Sequence, residues 1–411
     1  MISAQKSLLD QLIVSGSNFL IVVLAARFLE VGDVAKYAYA FGFYMLLYMF
    51  AYAWIYQNVM AIGREELARD EVASRFAGLN ILLALFSLPV SIISFQLIVT
   101  GELFGAAWIE SILVAIFVMV NQLIDFERRI LYFTIPSTLA NPILVSFTGF
   151  LIRVVVLILV QPDSFVEFMG VLIAASLPGL LFGVARLSKA FSGDFRLFVF
   201  QQMKNGKWIS LDIPVNWIWA HAPVFIIGSF LGLHAAGVYA AVRSIANISN
   251  VAMEMIPTYF ASKLSYLFTA GQLSEYRKFI IVSIGIGVFA WGGLLIFISM
   301  FGEHVLIIIL GDTFSKYWFL LLLFWIFNVF IFLIRFQYLH LRFVNKTGIA
   351  PISNLIGIFA LCCSYFIWFK ESGVEGIAWA MIIGAGVITL CQFIGMSTLK
   401  VGTEPCNQNK N

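Results

Sequence analysis

Charge is scarce in this sequence. Of its 411 residues only 11% are charged, where soluble domains carry about a quarter. Histidine occurs four times and cysteine four times. Cys362 and Cys363 are adjacent, Cys391 follows, and Cys406 lies in the tail. No CxxC or Cys/His spacing arises, so neither a disulfide framework nor a metal site is expected. No pair of aspartates has the DxD spacing of a metal-dependent transferase. The start, "MISAQKSLLDQL", carries one lysine and leads into a long apolar segment without an A-x-A site, which argues against a cleavable signal peptide. Long polar segments are also missing, which leaves no room for a soluble catalytic domain between the apolar runs.

What is abundant is apolar length. Hydrophobic residues make up 61% of the chain, and the mean hydropathy is +0.96. A membrane-spanning helix needs roughly 20 mostly apolar residues. Twelve such spans can be read, at 8–29, 37–62, 76–99, 103–124, 137–160, 166–187, 208–232, 236–262, 278–300, 317–340, 349–369 and 374–398. The stretch 301–316, "FGEHVLIIILGDTFSK", reads as an interfacial or re-entrant piece between spans nine and ten. With the N-terminus inside, 19 of the 25 Lys and Arg residues fall at inner ends and loops. Arg27, Lys36, Lys316 and Lys370 fall outside, and Arg153 and Arg243 lie within spans. That bias follows the positive-inside rule and predicts both termini in the cytoplasm.

The sequence also repeats itself. Shifted by 202 residues, Asp10 falls on Asp212, Val22 on Val224, Phe28 on Phe230, Leu29 on Leu231, Tyr37 on Tyr239 and Ala38 on Ala240. Spans one and seven then run the same way, so the halves are predicted to be parallel repeats, whose interface is the expected substrate site. The expected division is an N-terminal lobe over 1–190 (spans one to six), a basic linker over 191–207, a C-terminal lobe over 208–400 and a tail over 401–411.

Polar residues inside the spans are the candidate site. In span eight, Tyr239, Arg243, Asn247, Asn250 and Glu254 fall four, three or four residues apart and so share one helix face. A charge at the centre of a membrane helix costs about 2.5–3.5 kcal/mol on insertion scales, which a watery cavity or a buried partner offsets. In span five, Pro142, Ser146, Gly149 and Arg153 repeat the spacing. Arg153 could serve a cavity or snorkel to an interface. Span seven carries Asp212, His221, Pro214 and Pro223. Asp212 and Asp10 each admit two readings, a functional acid or a complement to the positive end of a helix dipole. His221 reads as a titrating group or a packed hydrogen-bonder. Arg27 falls about 180° from the Gln11, Ser15 and Asn18 face of span one. "GSFLG", Gly228–Gly232, is a GxxxG packing signal.

Two blocks carry a family resemblance. "SGSNFLIVVLAARFLEVGDVAKYAYAFGF", residues 15–43, and "FIIGSFLGLHAAGVYAAVRSIANISN", residues 225–250, resemble the polysaccharide-type exporters of the MOP superfamily, and "VEGIAWAMIIG", residues 374–384, resembles the start of that family's last helix. The group includes Wzx-like O-antigen and exopolysaccharide flippases and is related to the lipid II flippase and MATE transporters. The resemblance implies an all-α polytopic membrane protein, with twelve transmembrane helices in two parallel six-helix lobes around a central cavity. It implies arginines at the places of Arg27 and Arg243, facing an undecaprenyl-diphosphate-linked glycan in a bacterial inner membrane. Arg153, Asn247, Asn250 and Tyr239 are the further substrate-binding candidates. Glu254, Asp212 and His221 are candidates for a coupling ion. No cofactor is expected; a glycan polymerase and a chain-length regulator are the expected protein partners. The alternatives are a MATE-like exporter of cations and a membrane glycan polymerase or ligase.

Overall fold

The computed structural model describes residues 4–61, 70–102, 105–132, 142–181, 191, 194–249, 253, 260, 263–268, 270–343, 346 and 348–397. All regular structure among them is helical. The order is α1 (Ala4–Phe28), α2 (Val31–Ala51), a π-turn (Tyr52–Tyr56), α3 (Gln57–Ala61), α4 (Asp70–Thr100) and α5 (Trp108–Ile130). Then come α6 (Pro142–Ser146), a second π-turn (Phe147–Leu151), α7 (Ile152–Val160), α8 (Phe165–Leu180), α9 (Phe195–Leu231) and α10 (Leu233–Ala246). The chain continues through α11 (Leu273–Leu310), a 3₁₀ turn (Asp312–Tyr317), α12 (Trp318–Phe343) and α13 (Ile349–Ser397). Among the described residues, ten helical stretches are long and apolar enough to cross a membrane, and Phe165–Leu180 is a shorter apolar helix. Span eight is described as α10, and most of its remainder lies outside the described residues. This order fits the twelve expected spans of a multi-pass membrane protein.

Local chemistry sets the helix ends. Ser164 caps α8 by accepting from the Glu167 amide at 3.3 Å, with Glu167 three positions on as in a capping box. Asp194 caps α9 by accepting from the Leu197 amide at 3.3 Å. From Phe195 onward the expected linker is therefore helical, and α9 runs 37 residues without interruption. Inside α13 the backbone is non-helical at Gly373, φ 54°, which separates spans eleven and twelve. The GxxxG of α9 splits its two roles. A Cβ on Gly228 would lie 1.5 Å from the Tyr39 hydroxyl, so a neighbouring helix packs there. Gly232, at φ 88°, instead ends the helix in a conformation that favours glycine.

The expected re-entrant piece at 301–316 is corrected. The α11 helix is unbroken to Leu310. Gly302, Leu306 and Leu310 recur every fourth residue and are buried, while Glu303 and His304 are exposed. Glu303 and His304 occupy the exposed face of a continuous helix. At 38 residues, α11 is roughly 57 Å long at 1.5 Å per residue, well beyond a hydrocarbon layer of about 30 Å.

The chain divides into two compact units, Met1–Ala241 and Val242–Asn411. In the first, Lys36 near the start of α2 pairs with Asp33 at 2.9 Å and with Glu110 near the start of α5 at 2.7 Å. Its Nζ also lies 5.5 Å over the Phe165 ring. The α9 helix is tied to α2 and its π-turn by Trp217 Nε1 donating to the Gly42 carbonyl at 2.8 Å and Trp54 Nε1 donating to Ser210 Oγ at 2.6 Å. A Cβ on Gly206 would meet the Ala53 carbonyl oxygen at 2.4 Å, so only glycine permits this approach. The second unit packs an aromatic core between α11 and α12: Trp291 and Trp325 lie 5.0 Å apart, and Phe332 and Phe336 5.2 Å.

The 202-residue shift also relates one pair of helix boundaries. The α1 and α9 helices end at Phe28 and Leu231, and the helices that follow begin at Val31 and Leu233. Subtracting 202 leaves the two boundaries within one residue of each other. Tyr37 and Tyr239, equivalent by the same shift, are both buried.

Candidate functional site

Arg153 is the largest side chain among those fully buried, with 1% of its surface exposed. It follows directly on the π-turn Phe147–Leu151. Pro142, Ser146 and Gly149, which share its predicted face, are buried with it. Small residues allow the close packing there: a Cβ on Gly149 would meet Ile124 at 2.6 Å, and one on Gly179 would meet the Gly149 Cα at 2.9 Å. Arg153 does not snorkel. Its Nη1 donates to Asn121 Oδ1 at 2.7 Å, and its guanidinium carbon lies 4.8 Å over the Phe150 ring. Asn121 is fixed in turn, its Nδ2 donating to the Phe117 carbonyl at 2.7 Å. Nε and Nη2 of Arg153 are sealed from solvent and have no acceptor among the described residues. Among the described residues, no carboxylate pairs with Arg153. Burying charged donors without partners costs several kcal/mol.

A second polar cluster joins α1, α5 and α6. Asp10 and Asp125, 1% and 2% exposed, are bridged by Arg128, itself 3% exposed. Arg128 Nη1 reaches Asp10 Oδ2 at 2.6 Å and Nη2 reaches Asp125 Oδ1 at 2.7 Å. Tyr132 donates to Asp10 at 2.5 Å, and the Ser146 hydroxyl donates to its other oxygen. Arg129 Nε holds Asp125 Oδ2 at 2.8 Å and lies over the rings of Tyr48 and Tyr56, at 4.8 and 5.2 Å. Two aspartates and two arginines thus neutralise one another.

This cluster corrects the dipole reading of Asp10. Asp10 does not complement a helix dipole, because α1 begins at Ala4 and the Asp10 carboxylate is taken up by Arg128, Tyr132 and Ser146. Arg128 and Arg129, counted among the inner basic residues, are in the last turn of α5. The signal for the cluster was present in "DFERR": an acid followed by arginines three and four residues on, the spacing of a shared helix face.

The other predicted residues are dispersed. Asp212 lies 17 positions into α9, so the dipole reading fails for it too; Asp194 occupies the cap. His221 is half-buried, with its ring 6.4 Å from Phe41 and 6.3 Å from Trp217. Arg27 is exposed in the last turn of α1, where a cation suits the negative end of the helix dipole. On α10, Tyr239 is buried, Arg243 half-buried and Asn247 exposed, one turn apart in sequence. Asn328 of α12 steadies the end of that helix, donating to the Ala246 carbonyl and to Ser249 Oγ, both at 2.9 Å. Asn250 and Glu254 lie outside the described residues. Among the described residues, no group of three or more His, Cys, Asp or Glu could hold a metal ion.

No family model and no curated protein matches the sequence. Solved structures do share the fold. An inward-facing MATE-family multidrug transporter of the MOP superfamily aligns with a TM-score of 0.77 and 14% identity, over 96% of each chain. The lipid II flippase MurJ, inward closed, aligns with 0.61 and 13%, over 97% of this chain and 88% of that one. A Pyrococcus furiosus MOP-superfamily transporter, described by a reversed polarity of its binding pocket, aligns with 0.52 and 14%, over 96% and 97%. At such identities the likeness concerns the fold, and that fold is the one seen in MOP-superfamily transporters.

Proposed function

We propose that this protein is a flippase that moves a lipid-diphosphate-linked oligosaccharide across a bacterial inner membrane by alternating access, for O-antigen or exopolysaccharide synthesis. The observation that carries the reading is Arg153: a fully buried cation that, among the described residues, has no carboxylate partner. A carrier of cations would gain nothing from such a charge, whereas a diphosphate would. Arg243 adds a second intramembrane cation, in the other unit. Asn247, Asn250 and Tyr239 supply hydrogen bonds for sugar, and Arg27 a further cation at the end of α1. Glu254, Asp212 and His221 are the groups from which a coupling proton or sodium ion would be taken up. A polymerase and a chain-length regulator would receive the exported unit.

Reconstitution tests this directly. Vesicles containing the purified protein and a fluorescent polyprenyl-diphosphate sugar should show protein-dependent movement of the sugar between leaflets, read by quenching with an impermeant reagent. Movement of a cationic dye with no movement of the glycolipid would favour the MATE-like alternative and overturn the flippase. Elongation of the glycan would favour the polymerase.

The orientation is tested separately. Lys204 and Asp163 are both exposed. In a background without the native cysteines, Lys204→Cys should react with an impermeant thiol reagent only after permeabilisation, and Asp163→Cys in intact cells. The opposite pattern would invert the topology.

A further inference from the structure

One face of α5 treats three arginines in two opposite ways. Asn121 and Asp125 lie four residues apart, hence on the same face. At 125 the side chain is a carboxylate, and the arginines it meets, Arg128 and Arg129, are neutralised. At 121 it is an amide, and the arginine it meets keeps its charge. The orientation of that amide is determined by its neighbours. Its Nδ2 donates to the Phe117 carbonyl, so Oδ1 faces Arg153 Nη1. The two nitrogens left over, Nε and Nη2, form a single edge of the planar guanidinium, the edge whose parallel N–H groups match two oxygens of a phosphate.

We propose that Asn121 is a positioning residue that makes Arg153 a one-edged oxyanion site, holding the Nη1 end and leaving the Nε–Nη2 edge for two oxygens of a phosphate or diphosphate. The inference deepens the flippase reading and rests on it for the identity of the natural ligand. Phe150 supports the face of the guanidinium and limits its rotation, so the edge has a fixed direction. An aspartate at 121 would fit the same space but would pair with Arg153 and cancel its charge.

Binding to the purified full-length protein provides the test, with inorganic pyrophosphate, farnesyl diphosphate and farnesol as probes. Farnesyl diphosphate should bind and raise the melting temperature, and farnesol should not. Asn121→Asp should melt at or above the wild-type temperature without ligand, yet bind diphosphate about ten- to a hundredfold more weakly, the range expected for charge-assisted hydrogen bonds. Arg153→Lys, which keeps the charge and loses the edge, should weaken binding similarly and provides the test should Asn121→Asp not fold. Wild-type diphosphate affinity in either variant, or equal binding of farnesol, would overturn the site. Pyrophosphate binding as tightly as the prenyl form would uphold the site but make its ligand a free oxyanion, against the flippase. Glycolipid movement without diphosphate binding at Arg153 would uphold the flippase and overturn this site.

Discussion

Arg128→Ala should remove most of the folded protein from the membrane. The substitution leaves Asp10 without its cation and Asp125 with Arg129 alone, both carboxylates remaining almost wholly buried. Breaking a buried ion pair from one side costs about 3–5 kcal/mol, a large share of the about 5–15 kcal/mol by which folded proteins exceed their unfolded state. Arg128→Lys should fall between, since an ammonium keeps the charge but does not span two carboxylates as the guanidinium does. Removing charges together should help: Arg128→Met with Asp10→Asn should recover part of the level, because no carboxylate is left without a partner. Membrane abundance and the melting temperature of the solubilised protein read this out. Wild-type values for Arg128→Ala would show that the cluster contributes little.

Arg243→Ala should abolish surface glycan while leaving the protein in the membrane, and Arg153→Ala should weaken it strongly. Both follow from the flippase reading, in which each guanidinium meets an anionic headgroup. Lysine should rescue partially at each position, keeping the charge and losing the fork. The competing expectation is structural: an Arg243 that only pairs with an acid would lose protein level when truncated, and removing that acid as well would restore level and export. Surface glycan measured beside membrane abundance separates the two. Abundant Arg243→Ala protein with full glycan export would exclude a transport role for this arginine.

Much of the fold was legible because the bilayer imposes a length on helices and the repeat imposes a register. The match of Phe28 with Phe230 and of Leu29 with Leu231 marked helix ends that the structure keeps. The small residues Ser146 and Gly149 on the face of Arg153 left open whether it serves a cavity or snorkels, and its partner was not legible, since Asn121 belongs to a different span and carries no charge to flag it. The Asp10–Arg128 bridge escaped because a positive-inside count treats every arginine near a span end as solvated, whereas Arg128 points into the unit. Asp212 was misplaced because the cap of its helix, Asp194, lies in a stretch whose basic residues read as a linker. The 301–316 stretch misled because polar residues on one exposed face resemble an interruption when read linearly. The partners of Arg153 and Arg128 depend on which way side chains face across helices, information that periodicity within one helix does not contain.

The π-turn Phe147–Leu151 has a mechanical consequence. Such a turn holds one residue more than an α-turn, like slack taken up in a belt. Ser146, just before it, is anchored to Asp10, and Arg153, just after it, is not anchored to any carboxylate among the described residues. Letting the spare residue slip along the helix would swivel Arg153 by about 100°, one residue's worth of helical rotation, while Ser146 stays where it is. The ionic knot and the buried guanidinium thus lie on opposite sides of one spare residue of span five.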